Sequence, residues 1–191
     1  APFMSEATPD ASLTVNALTN QSTEENVKSS DFLLMKATVD PEQDLTADGK
    51  LKISLNHAMS KLIIKITVNG TTDASMSKLG DMAINGAVVN ATCDLSAAAP
   101  VVVPAADAVV ATVAPYKGTE SCECILPPQK IAEGFSVNFS YDGKLYIWTA
   151  KEAIELEEGV EHTLTLNVNT TVRLAAKMAR NWATGQLIDR N

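Results

Sequence analysis

The segment from Leu51 to Val68, LKISLNHAMSKLIIKITV, constrains this chain more than any other, because it places two alternating apolar runs on either side of Asn56-His57-Ala58-Met59-Ser60-Lys61. Leu51, Ile53 and Leu55 share one parity, and Leu62, Ile64, Ile66 and Val68 share the other. Side chains of an extended chain alternate between faces with period two, so both sets reach one core face only where an odd residue is absorbed. The spacing therefore predicts a bulge or tight turn near His57 to Ser60 inside a half-buried sheet.

Comparable runs follow at 82–91, 109–114, 121–127, 135–141, 144–150, 153–157 and 162–168. Asn69-Gly70, Asp142-Gly143 and Glu158-Gly159 supply the positive φ of tight turns, and Asn85-Gly86 is read as a turn splitting 82–91. Short strands punctuated in this way, roughly every 8–12 residues, indicate an all-β sandwich or barrel. Locally, Val137, Phe139 and Tyr141 are predicted to share one face, with Leu145 and Ile147 opposing Tyr146 and Trp148, and with Phe139 beside Trp148 across the hairpin.

The first 47 residues are polar and turn-rich, with candidate strands at 12–18 and 31–39, the second closed by Asp40-Pro41. The reading divides the chain into a lead-in at 1–47, with one or two strands from the remnant or edge of a preceding domain, and a sandwich domain at 48–191. Residues 97–114 read as a loop followed by a strand. At 171–179, Val172, Leu174, Ala176 and Met178 alternate as a strand would, although the same stretch is rich in helix formers.

A net charge of -8 over 191 residues, with scattered basic residues, argues against nucleic acid and anionic membranes as partners. The longest apolar run is broken by Pro100, Pro104 and Asp107 and falls short of the ~20 residues a span requires. Ala1-Pro2-Phe3-Met4 lacks the basic and apolar regions of a signal peptide, so any export signal is expected to have been removed or to lie outside this sequence. Cys93, Cys122 and Cys124 read either as buried thiols or as a disulfide from Cys93 to one of the other two.

No catalytic motif and no metal-binding spacing occurs around the two histidines. His57 is expected to bond backbone freed at the hinge, and His162 to be a solvated residue. Glu155, Glu157 and Glu158 are read as solubilising charges at a strand end. Asp40, Glu42 and Asp44 lack the order and glycine of a calcium loop. The residues thus point to a protein that is not an enzyme and needs no cofactor.

Taken in order, SSDFLLMKATV (29–39), LKISLNHAMSKLIIKITV (51–68), CILPPQKI (124–131), FSVNFSYDGKLYIWT (135–149), LEEGVEHTLTLNV (156–168) and Trp182-x-x-Gly185 resemble the fimbrillin-like family of bacteroidal type V pilins and fimbrium-associated proteins. Leu55, Met59 and His162 stand where that pattern has Phe, Leu and an aromatic residue. The resemblance implies a transthyretin-like, Greek-key β-sandwich of about seven to nine strands, secretion, and display at the outer membrane. It implies a fimbrial shaft, tip or anchor subunit that assembles with other pilus subunits by β-strand donation and contributes to adhesion to host or bacterial surface receptors. On that analogy Val172, Leu174, Ala176 and Met178 are the strand-donation candidates. The alternative is a carbohydrate- or ligand-binding sandwich, with Tyr116, Tyr146 and Trp148 as the candidate platform.

Overall fold

A computed structural model describes residues 12–35, 40, 42–51, 53–70, 72–168, 178–181 and 186–189. Among the described residues the regular structure is almost wholly strand. One sheet runs Tyr116–Lys117, Cys122–Leu126, Ser60–Val68, Glu161–Val168, with Thr72–Asp73 paired to the end of Ser60–Val68. The second runs Lys144–Thr149, Ser136–Tyr141, Leu79–Val88, Val110–Val113. A third, Ser12–Asn16, Asn90–Asp94, Val102–Pro104, continues the second, since Asn90–Asp94 follows Leu79–Val88 with Val89 alone between them.

The inner faces are apolar for the reason the alternation suggests. Leu62, Ile64 and Ile66 are buried from one sheet, and Ile84, Val113, Val137 and Phe139 from the other. Each contributes about 1.5–3 kcal/mol by leaving water. Ser60–Val68 pairs antiparallel with Cys122–Leu126 and parallel with Glu161–Val168, in register from Lys61 opposite Glu161 to Val68 opposite Val168. This architecture is the β-sandwich expected from the strand spacing.

Several local expectations are corrected. Only Asn56–His57 is strand within the run before the hinge; it pairs with Leu33–Leu34, and Leu51 forms an isolated bridge with Leu45. Leu51, Ile53 and Leu55 are exposed, Ile53 at 61%. Periodicity marks which residues could share a face but not whether the segment finds a strand to pair with, and residues 53–55 are not strand.

The strand expected at 31–39 is confined to Leu33–Leu34 among the described residues. Glu24–Ser29 forms a helical turn and a half, capped by the Thr23 side chain, which accepts from Asn26 N–H, where a loop was expected. Asn85-Gly86 makes a bulge instead of a turn: Gly86 has φ +100°, the strand continues to Val88, and an added Cβ would lie 3.3 Å from Phe135 Cα. Residues 102–104 form a strand inside what read as a loop.

Two glutamines hold backbone that the ladders leave over. Gln21, fully buried, accepts from Ile125 N–H at 2.8 Å and donates to the carbonyls of Ile125 and Leu18, both at 2.8 Å, standing in for a neighbouring strand. Gln129 accepts from Val88 N–H and donates to the Val88 carbonyl, each at 2.9 Å, and also to the Pro127 carbonyl at 3.0 Å. Their amides carry the same donor and acceptor as a peptide group, which is why each fits a strand's vacant edge.

Candidate functional site

Part of the exposed apolar surface lies at the sheet rims. Lys144–Thr149 is an outer strand of its sheet, and its outward residues Leu145 and Ile147 are 87% and 56% exposed. Val101 and Val103, with Val109 and Val110, are exposed along the Val102–Pro104 and Val110–Val113 rim. Glu161–Val168 is also an outer strand; Thr163 and Thr165 are exposed while Leu166 and Val168 are buried.

Of the strand-donation candidates, Val172, Leu174 and Ala176 lie outside the described residues. Met178 opens a short strand, Met178–Asn181, that pairs antiparallel with Gln186–Asp189 and approaches Lys144–Thr149. The three platform candidates are half-buried and packed against the core. Tyr146 stacks on Phe139 at 5.4 Å between ring centroids, and Trp148 meets Phe135 edge-on at 6.2 Å. Trp148 stands opposite Val137, so the aromatic neighbour of Phe139 is Tyr146 and not Trp148.

The short motifs scattered along the chain converge at one end of the first sheet. His57 Nδ1 lies 2.7 Å from Asp31 Oδ2, so the hinge histidine meets a carboxylate and not freed backbone. His162, expected to be merely solvated, accepts from Glu157 N–H through Nε2 at 2.9 Å, which fixes the proton of the neutral ring on Nδ1. Ser60 Oγ–H donates to the Glu157 carbonyl, and Gly159 N–H to the Met59 carbonyl at 3.0 Å. Gly159 takes φ +68°, with an added Cβ falling 3.1 Å from the His57 carbonyl. Together these bonds fasten the hinge to the turn that launches Glu161–Val168.

Lys61 binds Glu123 at 2.9 Å and Glu161 at 3.4 Å across three strands. The hydrogen bond to Glu123 is the main reason its ammonium is held above the usual lysine range. Cys93, Cys122 and Cys124 are buried free thiols, the first of the two readings. Burial pushes the Cys122 thiol up to about 11 and that of Cys124 further in the same direction. Asp40, Glu42 and Asp44 spend their contacts on their own turn: Asp40 N–H donates to Asp44 Oδ2 at 2.7 Å and Glu42 N–H to Asp40 Oδ1 at 3.0 Å. Among the described residues no group of three or more His, Cys, Asp or Glu is placed to hold a metal ion.

The fimbrillin-like family model matches residues 1–181. The chain belongs to the fimbrillin-like family. Its fold is similar to a "putative cell adhesion protein" of Bacteroides uniformis, at TM-score 0.64 and 17% identity over 88% of this chain and 65% of that one. It is also similar to a protein of the same description from Bacteroides ovatus, at TM-score 0.56 and 17% identity over 86% of this chain and 56% of that one. The chain thus spans less than two thirds of each protein's length. No curated protein matches it. Family membership supports a place at the cell surface. Among the described residues no helix is long and apolar enough to cross a membrane.

Proposed function

We propose that this fimbrillin-like protein is a secreted, non-enzymatic structural subunit of a fimbria at the outer membrane, assembling with other pilus subunits by β-strand donation and contributing to adhesion. The observation that carries this reading is the outward pair Leu145 and Ile147 on an outer strand. An apolar outer strand invites a further strand, because backbone bonding and alternate side-chain contacts can be gained together. The donor would be the segment bearing Val172, Leu174, Ala176 and Met178.

The purified chain is expected to form oligomers whose population rises with concentration and survives heating in detergent below the unfolding temperature. A peptide of residues 170–185 is expected to raise the melting temperature of a chain ended at Val168. A protein that stays monomeric at every concentration, and whose shortened form ignores the peptide, would refute the proposal.

A further inference from the structure

A cavity of about 340 Å³ lies where the hinge, the Glu24–Ser29 helix and three strands of the first sheet meet. Its apolar lining is Val27, Met59, Ile125 and Val160. Its charges do not balance. Glu24 pairs with Lys28 at 2.6 Å, and Lys61 is shared by Glu123 and Glu161. Among the described residues Asp31, 18% exposed, is met only by His57 through Oδ2, while its Oδ1 is buried with no hydrogen-bond partner. Four carboxylates thus face two lysines, with Asp31 the least compensated. Apolar walls around an under-paired carboxylate fit the aliphatic stem and cationic head of a basic side chain.

The chain itself carries such side chains in one place. All three arginines, Arg173, Arg180 and Arg190, fall in the last 19 residues. With Lys177 and Asp189 they give residues 170–191 a net charge of +3, while residues 1–169, with 11 lysines against 22 carboxylates, carry -11. A protein built this way attracts its own C-terminal segment from another molecule.

We infer that the cavity at Asp31 is a docking site for an arginine of the C-terminal segment of a second copy. The inference deepens the assembly reading by naming the contact that would orient one subunit on the next. The soft terminal torsion of Asp31 lets its carboxylate turn toward an incoming guanidinium while His57 keeps the other oxygen. Val160, at the rim, would pack on the arginine stem.

The test titrates the full chain into a fluorescently labelled peptide of residues 170–191 and reads anisotropy. Asp31→Asn and, separately, Val160→Trp, which fills the mouth without touching the carboxylate, are each expected to weaken binding about tenfold. A peptide carrying Arg173→Gln, Arg180→Gln and Arg190→Gln should weaken it at least as much, and this arm leaves the protein's own fold untouched. Unchanged affinity in both protein variants, equal binding of a scrambled peptide of the same composition, or no binding at millimolar concentration would each overturn the site. Light scattering of the same proteins reads assembly separately: oligomers that persist in both variants while peptide affinity is unchanged would sink the cavity and leave strand donation standing.

Discussion

Gln21 offers a sharp test of how the first sheet is closed. Its amide serves both backbone groups of Ile125 at 2.8 Å from a fully buried position. Gln21→Ala would leave that N–H and that carbonyl without a partner, at about 1–3 kcal/mol each. The expected loss is therefore about 4 kcal/mol, a large part of the roughly 5–15 kcal/mol that holds a domain folded. Urea unfolding followed by far-UV circular dichroism should show the midpoint falling with the slope unchanged. Gln21→Met separates the causes, because it fills the space but restores neither bond. If Gln21→Met is near neutral while Gln21→Ala is costly, the void is responsible and the edge-sealing argument fails. A loss below about 1 kcal/mol in both would refute it outright.

Gly159→Ala should cost about 1–2 kcal/mol from the left-handed backbone alone, plus crowding against the His57 carbonyl 3.1 Å away, and thermal denaturation measures it. The Cys122 thiol is raised by burial to about 11 from its ordinary 9.0, so the unfolded chain ionises first. Its contribution is whole below pH 9.0 and declines as pH climbs through about 11; unfolding free energies across that window should fall less steeply in Cys122→Ala. The double variant Leu145→Lys, Ile147→Lys should shift stability by no more than about 0.5 kcal/mol yet abolish concentration-dependent assembly in size-exclusion chromatography, and persistence of the oligomers would refute the role given to that outer strand.

How much of this was legible depends on range. Asp142-Gly143 behaved as its chemistry requires, with φ +51° and +75°, and the strands it joins run within one residue of their expected limits. Such turns are local, so neighbouring residues suffice to read them. The failures are long-range. Nothing in LNHAMSKL reveals that His57 will meet Asp31, 26 positions away, or that the Gln21 amide will serve Ile125 from a distance of 104 positions. A glutamine is polar on any scale, and only an unfilled strand edge makes it a core residue. The exposed Leu51, Ile53 and Leu55 show the converse: the sequence alternates, but residues 53–55 do not fold into a strand. For the candidate site, the alternation sets Leu145 and Ile147 against Tyr146 and Trp148, but which pair faces solvent depends on the rest of the molecule: Tyr146 and Trp148 pack against the core and Leu145 and Ile147 are exposed. The Asp31 cavity had no signature in any single segment, since its walls come from four separate stretches of chain.

The parallel pairing of Ser60–Val68 with Glu161–Val168 joins residues one hundred positions apart, Lys61 opposite Glu161. A growing chain cannot complete that ladder until Val168 has been synthesised, and closing so long a loop is an entropically slow event. Until then the central strand lacks one of its two neighbours. On the proposed secretion, such timing would let the polypeptide pass a translocation pore before it becomes rigid.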